Sequence, residues 1–226
     1  MSFYGSELGD RLITDENYPD SINEFLVEEK VLLLSLMSNH DIAIEVGCME
    51  GRHCETVLDS GVHYIGVDIS EEYIRKAKEK TIKSNGKHEL LCIDAEKLDD
   101  ISHISSLFSK CQRPLFFFPF NSIGNMENVE KVLLRVSKIR NATFLIFTYP
   151  VDTETTKIRF EYYNNCSYTN LRKIVADNEV RFVSADGLNS TAYNPRYISE
   201  LCKKLPVSET HYNFCPMGIV YIIKTS

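Results

Sequence analysis

Short, mostly apolar runs alternate along this chain with longer stretches in which apolar residues recur at helical spacing. The runs lie at residues 42–45, 64–67, 89–93, 115–118 and 142–148. The fourth, Leu115-Phe116-Phe117-Phe118, is apolar at every position, as in strands covered on both faces of a parallel sheet. Between them the spacing predicts helices from Asp20-Ser21 through Leu36, from Gly51 to Leu58, from Ser70 to Ser84, over 100–110 and over 127–139. Ser70, followed by Glu71 and Glu72, has the chemistry of a helix start, a capping hydroxyl with acids in the first turn. Strand–helix alternation of this kind predicts an α/β fold, a Rossmann-like sheet flanked by helices. The rhythm changes after Pro150. Residues 171–176 and 179–184 flank Asp177-Asn178 and predict a β-hairpin. Asn194-Pro195 opens a helix through Lys204, with proline in its first turn. Residues 209–214 and 218–224 predict a closing antiparallel pair joined at Cys215-Pro216-Met217.

A length of 226 residues fits one domain, 1–226, with a full-sized core. No run approaches the twenty or so apolar residues that span a bilayer, so no membrane partner is expected. The first twenty residues carry Asp10, Asp15, Glu16 and Asp20 and predict no signal peptide. The net charge of −7 disfavours a nucleic-acid partner. The basic cluster Arg75, Lys76, Lys78 and Lys80 is interleaved with Glu71, Glu72 and Glu79, the pattern of a solvated helix face. Seven cysteines, at 48, 54, 92, 111, 166, 202 and 215, form no Cys-x-x-Cys pair. Their odd number predicts free thiols and a cytoplasmic location, and the six histidines join them in no zinc pattern.

Candidate chemistry concentrates where the first apolar run breaks. In Ile42-Ala43-Ile44-Glu45-Val46-Gly47-Cys48-Met49-Glu50-Gly51 an acid closes the run and two glycines stand four apart, where a helix should begin. A strand that breaks into such a turn exposes backbone N–H groups with no side chain in the way. Asp68 closes the second run, where an acid commonly takes the hydroxyls of a ribose. Asp94 closes the third. Glu45-Val46-Gly47-Cys48-Met49-Glu50-Gly51, Gly66-Val67-Asp68-Ile69-Ser70 and Leu91-Cys92-Ile93-Asp94-Ala95-Glu96 resemble the first three motifs of class I S-adenosylmethionine-dependent methyltransferases. Met49 departs from the family, standing where its middle glycine is usual. The resemblance covers about residues 35–150. It implies a seven-stranded, mostly parallel methyltransferase sheet with an antiparallel final strand, and a cofactor-binding core over those residues. The hairpin-containing segment 151–193 is then an extra piece over the carboxyl ends of the strands, a substrate lid.

The resemblance also assigns roles. Glu45 holds the ammonium of S-adenosyl-L-methionine; Gly47, Cys48 and Gly51 admit its methionine portion. Asp68 accepts from the ribose, Ile69 packs on the adenine, and Asp94 and Ala95 meet the adenine edge. Phe118, at the end of the fourth run, completes the cofactor set. The loop after it, with Asn121 and Asn125, and Tyr149 are the expected catalytic groups. Aromatic residues Tyr4, Tyr18, Phe120, Tyr162, Tyr163 and Tyr193 are expected near the mouth, where ring faces stabilise a cationic methyl or ammonium. His53 and His211 are candidate bases; Arg159 and Glu161 are expected on an exposed strand face of the extra segment. No residue marks a dedicated general base, which favours N-methylation over O-methylation of a small polar molecule. The partners expected are therefore a small-molecule substrate and, at the level of assembly, a homodimer. Two rival readings are a cofactor-binding regulator or subunit without activity, favoured by Met49, and a protein or peptide methyltransferase. Aminopropyl transfer would need acids after the fourth strand, where Asn121-Ser122 stands.

Overall fold

The computed structural model describes residues 3–100 and 113–226. The helix expected over 100–110 lies outside them. Seven strands form the main sheet: β1 (Ile42–Val46), β2 (His63–Asp68), β3 (His88–Cys92), β4 (Pro114–Phe118), β5 (Thr143–Thr148), β9 (Val207–Cys215) and β10 (Gly218–Thr225). Their order is β3-β2-β1-β4-β5-β10-β9. β1 to β5 pair in parallel, and β10 runs antiparallel to both β5 and β9. A second sheet, β6 (Arg172–Ala176), β7 (Glu179–Val183) and β8 (Asn189–Tyr193), is antiparallel throughout. The expected hairpin is its first pair; β8 extends it by a strand that the sequence pattern does not announce.

The helices are α1 (Glu7–Asp10), α2 (Asp20–Met37), α3 (Cys54–Asp59), α4 (Glu71–Thr81), α5 (Val129–Val136), α6 (Thr153–Asn165) and α7 (Pro195–Cys202). Ser70 caps α4 through the N–H of Tyr73, and α7 begins on Pro195 with Asn194 as its cap. Among the described residues no helix is long and apolar enough to cross a membrane.

Four of the five apolar runs are buried almost throughout, whereas β3, at the sheet edge, is covered only in part. All five residues of β4 are buried, and Phe116 stacks on Phe144 of β5 with ring centroids 4.6 Å apart. Alternate β4 side chains feed two cores. Phe117 joins Phe25, Tyr64 and Phe147 on one face, while Phe116 and Phe118 join Leu133 and Tyr221 on the other. Fully burying such a ring is worth about 1.5–3 kcal/mol, so the sheet is held from both sides. β1 and β4 sit side by side although residues 47–113 separate them in the chain, and the order reverses there. Open sheets of this kind bind ligands at that reversal, outside the carboxyl ends of the strands.

α6 corrects the expectation for 151–193. It presents Thr155, Thr156, Arg159, Tyr162 and Tyr163 inward. An inner face built of threonine, arginine and tyrosine carries almost no apolar periodicity, which is why the helix is illegible in the sequence. Arg159, expected on an exposed strand, is fully buried on this helix.

Candidate active site

β1 ends in a turn whose geometry is set by three left-handed residues: Gly47 at φ 81°, Met49 at φ 47° and Gly51 at φ 75°. Gly47 has no room for a side chain, since a Cβ there would lie 2.9 Å from Cβ of Ser122. Met49 takes the left-handed conformation that the usual glycine would take, at a steric cost of about 1–2 kcal/mol. Asp68 holds the turn: one carboxylate oxygen accepts the Met49 N–H at 3.0 Å and the other the Ser70 N–H at 2.9 Å. Burial pushes the Asp68 carboxyl above its usual range, against the pull of those N–H groups. Each oxygen keeps a free lone pair for a further donor.

These groups line one cavity of about 670 Å³. Glu45, Gly47, Cys48, Asp68, Ile69, Asp94 and Ala95 are in its wall. Ile69 is 62% exposed, an apolar side chain held at the rim, where a flat ring would cover it. Asp94 accepts from the Glu96 N–H at 2.9 Å and fixes the turn that carries Ala95. Two members of the expected cofactor set lie elsewhere. Gly51 faces α3 and α4: a Cβ there would meet Cys54 at 3.6 Å and Ala77 at 3.8 Å, so its role is close packing. Phe118 is buried in the core on the other face of the sheet. Strand alternation puts it there, and Phe120 reaches the cavity in its place.

The expected catalytic residues all border the cavity but differ in what they have free. Phe120 and Asn121 are both left-handed, at φ 43° and 57°. Asn121 is 2% exposed; its carbonyl oxygen accepts from Thr148 and its amide donates to Ser190 at 3.1 Å. That side chain ties β5 to β8, so its orientation is fixed by the fold. The oxygen of Asn125, by contrast, is buried with no hydrogen-bond partner. Tyr149 is 1% exposed, and burial pushes its phenol well above the usual value. At neutral pH it is a donor and not a base.

Rings close the other end of the cavity. Phe120 lies 5.9 Å from both Tyr18 and Tyr162 and 6.2 Å from Tyr149, centroid to centroid, and Tyr162 lies 4.9 Å from Tyr163. Tyr4 joins the wall; Tyr193 instead packs against Tyr197 in the opposite core. His211 pairs with Glu209 on β9, away from the cavity.

Sequence reasoning did not foresee a buried ionic cluster behind Glu45. Glu29, fully buried on α2, accepts the Phe120 N–H at 2.7 Å and lies 3.3 Å from Nε2 of His53, close enough for an ion pair though not aligned as a hydrogen bond. His53 Nε2 is also 4.0 Å from Glu45, which accepts from the Tyr64 hydroxyl at 2.5 Å. Burial alone would depress the imidazole, but Glu45 and Glu29 outweigh it and raise His53 above its ordinary value. Burial raises the Glu45 carboxyl, against the pull of His53. Glu29 was hidden by its place in an amphipathic helix. His53 was legible only as a residue following a glycine turn.

Residues 43–114 match the family described as the methyltransferase domain. No curated protein matches the sequence. Among solved structures, the fold is similar to that of a protein from Pyrococcus horikoshii OT3 (TM-score 0.66, 17% identity, 94% of each chain covered). It is also similar to 1,6-didemethyltoxoflavin-N1-methyltransferase from Burkholderia thailandensis, which holds its substrate and S-adenosylhomocysteine (TM-score 0.61, 11% identity, 96% of this chain and 83% of that one). A third is magnesium protoporphyrin IX methyltransferase from Synechocystis PCC 6803, with S-adenosylhomocysteine bound (TM-score 0.61, 11% identity, 98% and 96%). The fold is that of solved S-adenosylmethionine-dependent methyltransferases, and the glycine turn and Asp68 lie within residues 43–114, the part of the chain that matches the methyltransferase domain.

Proposed function

We propose that this enzyme methylates a small polar molecule, at nitrogen in preference to oxygen, with segment 151–193 serving as the substrate lid. The single observation that carries the reading is the shape of the cavity. It runs from Asp68 and Asp94 at the strand ends to a ring-lined end under Tyr162 and Tyr163 of α6 and Ser190 of β8. A volume of about 670 Å³ lies in the upper half of the range of small-molecule sites. That is space for a nucleoside cofactor and a compact acceptor, not for a polypeptide crossing the sheet.

The residues fit the cofactor that the fold implies. S-adenosylmethionine supplies a methyl group on a sulfonium, so the protein need only bind, orient and exclude water. Asp68 would take the ribose hydroxyls on its free lone pairs. Glu45 would face the ammonium, and Ile69 would cover the adenine. At the acceptor end the unpartnered Asn125 oxygen would accept from an N–H of the nucleophile, orienting its lone pair toward the methyl. The faces of Phe120 and Tyr149 would stabilise the positive charge that moves between them. No raised-pKa tyrosine there serves as a base, which supports an acceptor that is already a nucleophile in its neutral form.

Calorimetric titration with S-adenosylmethionine and S-adenosylhomocysteine, on the wild type and on Asp68→Ala, tests the cofactor half. Micromolar binding lost in the variant is expected. No binding to folded wild type would end the transferase reading. Screening small amines against hydroxyl compounds with labelled cofactor then tests the acceptor half.

A further inference from the structure

The ring-lined end of the cavity holds a cation that buried Glu29 attracts only from beyond ion-pair distance. Arg52 lines the cavity. Among the described residues its one hydrogen bond is to the Tyr18 hydroxyl, at 2.8 Å. Its guanidinium carbon lies 5.2 Å from the centre of the Phe120 ring. Among the described residues no carboxylate comes within ion-pair distance of it, whereas Arg75, Arg113 and Arg196 each have one. A guanidinium carries five N–H donors in a planar fork that matches a carboxylate edge to edge. Here most of those donors are uncommitted, in a half-buried position facing ligand space.

A second guanidinium stands behind the same end. Arg159 is fully buried, lies 5.1 Å from the centre of the Tyr149 ring and donates to the Val180 and Ser190 carbonyls, again with no carboxylate partner. The buried acids are Glu29, Glu45 and Asp68; the first two face His53 and Asp68 holds the glycine turn at the cofactor end. Asp15, at the mouth, is exposed. S-adenosylmethionine would add a net positive charge. With the cofactor in place, the uncommitted donors of Arg52 are the cationic hydrogen-bonding group that faces the ring-lined end, and an anion satisfies them where a purely cationic amine does not.

We propose that Arg52, held by Tyr18 and backed by Phe120, is an anion subsite for the acceptor, and that the acceptor carries a carboxylate in addition to the group that is methylated. This rests on the methyltransferase reading above and narrows its substrate class. The rival use of Arg52 is the carboxylate of the cofactor itself, and the test separates the two.

The wild type and Arg52→Gln, each loaded with S-adenosylhomocysteine, are titrated with small carboxylates, each paired with its uncharged amide: benzoate with benzamide, phenylacetate with phenylacetamide, and propionate with propionamide. In the wild type at least one carboxylate should bind tenfold or more tightly than its amide. In Arg52→Gln that preference should vanish, with affinity for S-adenosylhomocysteine within threefold of wild type. Tyr18→Phe, which keeps the ring and removes only the hydroxyl that anchors Arg52, should reduce the preference severalfold and guards against misfolding of the first variant. The proposal is overturned if no carboxylate outbinds its amide in the wild type, or if the preference survives in Arg52→Gln. It is equally overturned if Arg52→Gln loses S-adenosylhomocysteine while still binding the decarboxylated analogue, since Arg52 then serves the cofactor. Failure of the wild type to bind S-adenosylhomocysteine at all is a different result and removes the methyltransferase reading itself.

Discussion

Replacing His53 by glutamine should cost this protein more at neutral than at acid pH. The imidazole stands between two buried carboxylates, 3.3 Å from Glu29 and 4.0 Å from Glu45. With an effective dielectric constant of about 20, those separations give pair attractions of roughly 5 and 4 kcal/mol for a charged imidazole. Desolvation of all three groups consumes much of that. What removal exposes is two buried carboxylates facing each other without a cation, and breaking a buried pair in this way costs about 3–5 kcal/mol. For a chain of this length that lowers Tm by roughly 10 °C, taking about 2–4 °C per kcal/mol. The pH dependence follows from the direction of each shift. His53 titrates above its ordinary value in the folded protein, so its contribution is complete below that ordinary value, near pH 6.5, and fades as pH rises through the raised one. Glu45 also titrates above its ordinary value, so at acid pH it takes up a proton early and the repulsion in the variant subsides. Denaturant unfolding of wild type and His53→Gln from pH 5 to 9 should show the gap widest near pH 7, closing toward pH 5 and narrowing again in alkali. A loss below about 1 kcal/mol at pH 7, or one that does not vary with pH, would refute the ionic account of the cluster.

Asn121→Ala should lower stability by about 1–3 kcal/mol, because Thr148 and Ser190 lose a buried partner; Asn125→Ala should leave stability within about 0.5 kcal/mol and reduce turnover tenfold or more. Melting curves and methyl-transfer assays on the pair separate the structural amide from the catalytic one. Gly47→Ala should be destabilised by several kcal/mol, since its left-handed backbone and the Cβ of Ser122 at 2.9 Å both oppose a side chain, and calorimetry should find cofactor affinity lost with it. Met49→Gly should change stability by less than about 1 kcal/mol, relief of the left-handed strain offsetting the extra freedom of the unfolded chain; cofactor affinity that does not rise would confirm that Met49 adopts the glycine conformation without obstructing the turn.

The parts of the fold legible in the sequence are those where burial acts on apolar side chains. β4 announced itself because Phe116, Phe117 and Phe118 had to be covered on both faces, and α4 because Ser70 and the acids after it suit one end of a helix. The glycine turn and the acids closing β1, β2 and β3 were legible because backbone geometry and charge leave few residues suitable there. α6 was not, because its buried face is polar and satisfied by partners distant in sequence. Arg159 meets Ser190 across 31 residues, and Tyr162 meets Leu12 across 150. Phe118 was assigned to the wrong face because a continuous apolar run conceals which residues alternate inward. Arg52 escaped notice because an arginine beside a glycine turn is ordinary until one finds that, among the described residues, no carboxylate comes within ion-pair distance of it.

One carbonyl oxygen, that of Leu12, accepts both Tyr18 at 3.1 Å and Tyr162 at 2.6 Å. Tyr168 reaches the Leu8 carbonyl at 2.8 Å, and Arg11 reaches the carbonyls of Cys166 and Ser167. The cover over the ring-lined end is thus stitched from the beginning of the chain and from a segment some 150 residues later. It cannot swing on one hinge. Any opening wide enough to release a product must break these bonds together or carry both strips as a single flap.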